Sequence, residues 1–266
     1  MASSSTAFTG SIPELYDRHL GPVLFEPYAV ELVARLPADT ARMLEIAAGT
    51  GRVTRHLLGK LPASSQLIAT DLNDAMLVRA AQLITDPRIT WQAADAQALP
   101  FEDAAFDAVV CQFGLMFVPD KALAAREMRR VLRPGGRLLL DTWDQLARNE
   151  ASHLLHALAL AAFPSDPPMF MQTPFSMPDP AALRAIFVAA GFAEVNVDTV
   201  ARTAHSVSAA DFAIGLVRDN PLWHQLVERG VDAKAFEHSV ASNLASRFGD
   251  QPCVSPLSAH VVSAVA

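Results

Sequence analysis

Five short apolar runs, each separated from the next by a helical pattern, fill the chain from residue 42 to residue 143. They are "RMLEIAA" (42–48), "QLIATDL" (66–72), "ITWQAAD" (89–95), "FDAVVCQFG" (106–114) and "GRLLLDTW" (136–143). Apolar runs of strand length with helices between them mark βαβ units, whose strands lie parallel and are covered on both faces. In "KALAAREMRRVL" (121–132), Ala124, Met128, Val131 and Leu132 share one helical face, with the charged residues mostly elsewhere. "RPGG" (133–136) then stops that helix, and Asn73 or Asp74 is placed to cap the one after the second run. The pattern predicts an α/β fold, a doubly wound and mostly parallel sheet.

After Trp143 the pattern changes. Residues 148–163 read as a helix and lead into "PSDPPMFMQTPFSMPDP" (164–180), which holds six of the 18 prolines. That segment is excluded from helix interiors and central strands. Its Met169, Phe170, Met171 and Phe175 suit either a wall over a site or a crossover docked on the core. A helix over 179–192 stopped at Gly191, a strand over 193–203, helix from about 208 to 248 and a closing strand over 259–266 bring the strands to seven. The expected organisation is one domain: an N-terminal helical lid (1–40), a cofactor-binding core (40–143), and capping insertions at 144–180 and 208–250.

A formal net charge of −7 provides no global attraction to phosphate backbones, so nucleic acid is not the expected partner. Two cysteines, Cys111 and Cys253, are too few for a disulfide framework or a zinc cluster and fit a reducing interior. The N-terminal residues lack the features of a signal peptide, and no run reaches the roughly 20 apolar residues of a membrane span. A cytoplasmic protein with no membrane partner is expected, acting on a small molecule, with a homodimer left open.

The first strand–turn–helix, "MLEIAAGTGRVTRHLLG" (43–59), bears on function most directly. Gly49 and Gly51 let backbone approach a ligand, and the following helix offers unpaired N–H groups. The dinucleotide fingerprint needs a third glycine where Thr54 stands, and a P-loop needs Lys-Ser or Lys-Thr after Gly51, where Arg52 and Val53 stand. Such a turn also occurs as a plain strand–helix corner. Glu45, near the end of the first strand, is a carboxylate that burial would leave in need of a partner. Asp71 ends the second strand, 20 residues after Gly51, where a carboxylate can accept both ribose hydroxyls of an adenosine or, alternatively, cap a helix.

The third block, "AADAQALPF" (93–101), followed by "FDAVVCQFGL" and "LRPGG", decides among cofactors. With "LEIAAGTG" and "TDLN", these blocks resemble, in order and spacing, the class I S-adenosylmethionine-dependent methyltransferases, in particular the small-molecule group of the ubiquinone and menaquinone methyltransferases. The resemblance covers residues 40–143 strongly and the rest in outline. It implies S-adenosylmethionine as cofactor, with Ala47, Gly49 and Gly51 along its methionine end and Glu45 near its ammonium group. It implies further that Asp71 holds the ribose, Leu72 and Met76 sandwich the adenine, Asp95 and the Ala96 backbone meet the adenine edge, and Gln112 faces the methionine portion. Tyr16 in "ELYDRHLGP" is the matching lid tyrosine. Ala47 stands where the family has its first glycine, a small departure provided that its φ is negative.

A sulfonium is already an activated leaving group, so the reaction asks for alignment and, for oxygen or nitrogen acceptors, removal of a proton. Phe113 and Trp143, at strand ends, offer faces to the cation. Among the histidines, His153 and His19 rank first as bases, one following strand five and the other in the N-terminal lid. Met169, Phe170, Met171, Phe175, Leu222 and Trp223 are the expected walls of an apolar acceptor pocket. No D/N-P-P-Y/F motif follows strand four, against base or glutamine methylation, and Cys253 of "PC" lies far from where cytosine methylation places its nucleophile. No metal site is expected. The alternatives are an enzyme of this fold that uses the cofactor's charge for decarboxylation, cyclisation or rearrangement, and a non-catalytic module that keeps it as a structural ligand.

Overall fold

The computed structural model describes residues 12–218 and 222–266. Seven strands form one sheet: β1 (Arg42–Ile46), β2 (Gln66–Asp71), β3 (Ile89–Ala93), β4 (Phe106–Gln112), β5 (Leu132–Trp143), β6 (Glu194–Ser206) and β7 (Cys253–Val265). Their order is β3-β2-β1-β4-β5-β7-β6. β1 pairs in parallel with both β2 and β4, and the strand order reverses there, where open α/β sheets bind their ligands. β7 runs antiparallel to β5, from Arg137 opposite Val265 to Trp143 opposite Ala259. The doubly wound, mostly parallel sheet expected from the alternating pattern is therefore present.

The chain divides into two compact units. One is the sheet unit, Tyr28–Trp143, Met177–Val200 and Ala259–Ala266. In it α2 (Glu26–Ala34, from Tyr28 on), α3 (Arg52–Lys60), α4 (Asp74–Leu83), α5 (Lys121–Val131) and α7 (Pro180–Ala189) flank the strands. Ala29 and Leu32 of α2 and Leu57 of α3 pack with Met43, Val110 and Leu139 of the strands. The helix starts follow the sequence: Asn73 caps α4 by accepting from Ala75 N at 3.0 Å, and Asp120 caps α5 from Leu123 N at 2.8 Å.

The other unit gathers, among the described residues, those up to Pro27 and those within Asp144–Ser176 and Ala201–Ser258. It holds α1 (Ile12–Arg18), α6 (Glu150–Ala162), α8 (Ala209–Arg218), α9 (Leu222–Glu228) and α10 (Ala233–Phe248). Gly215 lets α8 close on the chain after α1, since a Cβ there would lie 3.0 Å from Leu20 and 3.1 Å from His19. Among the described residues no helix is long and apolar enough to cross a membrane.

Three boundaries differ from the sequence reading. The helix expected over 208–248 is three helices, and β7 begins at Cys253, six residues before the apolar run that announced it. α5 ends at Val131 as "RPGG" implies, but those four residues lie within β5 as an irregularity: Leu132 pairs with Phe106, and the ladder resumes at Arg137 opposite Ala108.

Ala47 departs more sharply. It sits at φ 56°, so the condition under which its methyl would be harmless is not met. The left-handed conformation costs an alanine about 1–2 kcal/mol. The methyl fills the place of a missing one: a Cβ on Gly114 would lie 2.4 Å from the Ala47 Cβ and 2.9 Å from the Cys111 Sγ. Gly114→Ala is expected to destabilise by roughly 2–3 kcal/mol through overpacking, and Ala47→Gly to return part of that loss. Additive losses in a denaturation double-mutant cycle would refute this pairing.

Candidate active site

The carboxyl ends of β1 to β5 bring together Glu45, Ala47, Gly49, Gly51, Asp71, Leu72, Met76, Asp95, Ala96, Gln112, Phe113 and Trp143, all in the sheet unit. Gly49 at φ 55° and Gly51 at φ 83° turn the chain from β1 into α3. A Cβ on Gly49 would meet nothing within 4 Å, whereas one on Gly51 would lie 2.5 Å from the Ile84 Cδ1 and 3.3 Å from Trp91. Gly49 therefore lines an open cradle, and Gly51 serves the packing beneath it. Asn tolerates positive φ, so Gly49→Asn is expected to fold near parental stability while its side chain fills the cradle, weakening ligand binding about tenfold or more. Gly51→Ala should lose about 1–2 kcal/mol of stability as well. Thermal melts and calorimetry on both variants separate the two roles; equal stability losses would mean that the cradle has been misassigned.

Asp71 fastens that turn. Its Oδ2 accepts from Gly49 N at 2.9 Å and its Oδ1 from Asn73 N at 2.8 Å. Burial pushes its carboxyl up, while the N–H groups of Asn73, Gly49 and Leu72 act the other way. Helix capping falls to Asn73, which leaves the remaining lone pairs of Asp71 for a ligand. Beside it Leu72 is 73% exposed, and Met76 is buried. Asp95 Oδ1 accepts from Gln97 N at 2.8 Å, and Ala96 is buried next to it.

Glu45 is 1% exposed, and its Oε2 accepts from Thr54 Oγ1 at 2.7 Å. Burial, reinforced by the neighbouring Asp71, pushes its carboxyl up to about 8 against the pull of Thr54. Thr54, the residue that breaks the dinucleotide fingerprint, thus partners the buried carboxyl of the same turn. That role escaped sequence reasoning, although the Glu45–Thr54 spacing across the turn was visible. Buried carboxyls held above their ordinary range beside an open backbone cradle favour a ligand that brings positive charge.

Phe113 and Trp143 stack on each other, with centroids 3.9 Å apart and planes at 10°, and Tyr28 meets both edge-on at 5.5 and 5.6 Å. Phe113 is at φ 48°, a conformation a bulky residue rarely adopts. Asp141, wholly buried on β5, was not singled out by the sequence, although a carboxylate closing the apolar run "LLLD" carried the same signal as Glu45.

The remaining expected site residues belong to the helical unit. Tyr16 stacks on Phe25 at 5.0 Å. His153 is exposed on α6 and His19 is half-buried. Phe170, Met171 and Leu222 are buried, Met169 is 47% exposed, Phe175 is half-buried, and Trp223 lies under the Arg218 guanidinium at 5.0 Å.

Comparison with known proteins bears on this arrangement. The family described as "Methyltransferase domain" matches residues 44–140. The ubiquinone/menaquinone biosynthesis C-methyltransferase UbiE of Teredinibacter turnerae is 39% identical over 121 residues, covering 44% of this chain and 48% of that protein. The chain thus spans about half the length of that relative. The UbiE of Ectopseudomonas mendocina is 31% identical over 187 residues, covering 65% of this chain and 72% of that protein. The chain belongs to the class I S-adenosylmethionine-dependent methyltransferases. Among solved structures, phosphoethanolamine N-methyltransferase 2 of Haemonchus contortus, in complex with S-adenosyl-L-methionine, superposes with a TM-score of 0.62 at 17% identity, covering 98% of this chain and 58% of that one. The [4+2]-cyclase SpnF gives 0.57 at 20%, covering 90% and 80%. At those identities the likeness is one of fold.

The cofactor of this methyltransferase is S-adenosylmethionine, and the residues fit it. The open side of Gly49 leaves room for a ligand against backbone, Asp71 presents lone pairs beside it, and the buried Glu45 carboxyl can be ionised by a cationic group. The cofactor supplies, when bound, a methyl group carried on a sulfonium.

Proposed function

We propose that this methyltransferase transfers the methyl group to a carbon of a small, largely apolar, quinone-like acceptor in its reduced form. The observation that carries the site assignment is a pair of carboxyls at one strand–turn–helix, the buried Glu45 held by Thr54 and the half-buried Asp71 held by Gly49 N of the open cradle. The acceptor class follows the printed names of the relatives, C-methyltransferases of ubiquinone/menaquinone biosynthesis.

In this reading Asp71 binds the ribose hydroxyls, Leu72 and Met76 flank the adenine, Asp95 and the Ala96 backbone read its edge, and Glu45 neutralises the ammonium. Gln112 lies along the methionine portion. An electron-rich ring carbon attacks the methyl carbon in line, the carbon–sulfur pair leaves with sulfur, and the ring loses a proton to restore aromaticity. His19 and His153 are the proposed candidates to take that proton. Partial burial, followed by Arg18, lowers the proton affinity of His19. Met169, Phe170, Met171, Phe175, Leu222 and Trp223 are proposed to contact the acceptor, and Tyr16 to cover the cofactor. The buried, unbridged Cys111 and Cys253 suit a cytoplasmic enzyme.

Incubation with methyl-labelled S-adenosylmethionine and a reduced demethylated prenylquinone tests this. The expected product carries the label on a ring carbon. Product without label would favour the second reading, a rearrangement or cyclisation chemistry on the same fold, for which the likeness to a [4+2]-cyclase is the motive.

A further inference from the structure

Asp141 is a carboxyl the methyl-transfer chemistry does not use, set where burial is hardest to justify. It is 0% exposed at the carboxyl end of β5, opposite Gln112 in the ladder. Its Oδ1 accepts from Phe113 N at 2.8 Å, and the Gln112 side chain also hydrogen-bonds the carboxyl. Its Oδ2 is buried with no hydrogen-bond partner among the described residues. Phe113 N also reaches the Asp141 backbone oxygen at 3.2 Å, so the sheet alone satisfies that donor. The side chain is therefore not needed to pair the backbone.

A buried carboxyl with an orphaned oxygen costs stability, and an apolar side chain of similar size would not incur that cost. What the carboxyl does hold is the exit of β4: it grips Gln112 and Phe113, and Phe113 is in the left-handed region. Strain of that kind persists only where surrounding groups enforce it. We infer that Asp141 is a positioning residue for the cofactor, acting through Gln112 and Phe113 by fixing the turn at the end of β4. Burial holds its proton well above the ordinary carboxylate range, so it acts as a neutral acid whose carbonyl oxygen accepts and whose charge is not required.

The inference rests on the methyl-transfer reading only through the cofactor, and the test keeps the two apart. Asp141→Leu removes the acceptor at similar volume, and Asp141→Asn keeps it. Binding of S-adenosylmethionine is measured by calorimetry well below each melting temperature, so that every variant is fully folded. Asp141→Leu should melt no lower than the parent yet bind about tenfold or more weakly, and Asp141→Asn should return to within about threefold. Stability and affinity then move apart, which a merely structural role would not produce. The inference is overturned if Asp141→Leu binds like the parent, if it melts lower than the parent, or if Asn loses as much as Leu. A parent that fails to bind S-adenosylmethionine would instead overturn the cofactor assignment itself.

Discussion

Asp71→Ala should bind S-adenosylmethionine two to three orders of magnitude more weakly than the parent, roughly 3–4 kcal/mol. Two losses combine. The ribose hydroxyls lose charge-assisted acceptors, and the glycine turn loses its tether, because Gly49 N and Asn73 N both donate to this carboxylate. Asp71→Asn should do little better. One carboxylate oxygen becomes an amide nitrogen, which would face the N–H of either Gly49 or Asn73, donor against donor. Asp71→Glu keeps the charge but carries it about one methylene too far, and should rank between these two and the parent. Calorimetric titration of the three variants checks the order; parental affinity in Asp71→Ala would place the ribose elsewhere.

Glu45→Gln should make the free protein more stable and the cofactor weaker. The folded carboxyl holds its proton up to about 8, against an unfolded value near 4.5. Below the unfolded value both states are protonated and Glu45 has no effect on stability. As pH rises past it, the unfolded chain releases the proton while the native one keeps it, so Glu45 costs stability increasingly until about pH 8. At pH 7 that cost is on the order of 3 kcal/mol. Gln carries no such penalty and still offers an oxygen to Thr54 Oγ1, so the melting temperature should rise by several degrees at pH 7–8. The gain should shrink as pH falls and vanish below about pH 4, under the unfolded value. S-adenosylmethionine affinity should fall about tenfold or more, with the loss of an ionised partner for the ammonium. In the parent, affinity should improve between pH 6 and 8 as Glu45 ionises more readily, and in the variant this dependence should flatten. A variant that is no more stable at pH 8 than the parent would remove Glu45 from this role.

The sheet was legible because its information is local: five apolar runs and their caps specify strands and helix starts whatever surrounds them. The place of Asp71 at the end of β2, beside the glycine turn, was legible for the same reason, as its spacing from that turn is a property of one βαβ unit. The β7 start at Cys253 was not, since "CVSPLS" becomes a strand only against neighbouring chain. Ala47 shows the limit most clearly. Its sequence position named a departure from the family pattern, but neither its positive φ nor the gap left by Gly114 is encoded within one segment. Gly49 and Gly51 look equivalent in "AGTG", and only the Ile84 side chain, 33 residues further along than Gly51, separates the open glycine from the packed one. Thr54 and Asp141 were passed over because their importance lies in what they hold, Glu45 in one case and the end of β4 in the other.

The assignment of the glycine turn to S-adenosylmethionine is tested most directly by native mass spectrometry of the purified protein. The protein is incubated separately with S-adenosylmethionine and with a nicotinamide dinucleotide. One S-adenosylmethionine or S-adenosylhomocysteine per chain, lost in Asp71→Ala, and no dinucleotide adduct is the expected result. A dinucleotide adduct, or no S-adenosylmethionine adduct on the parent, would contradict the account.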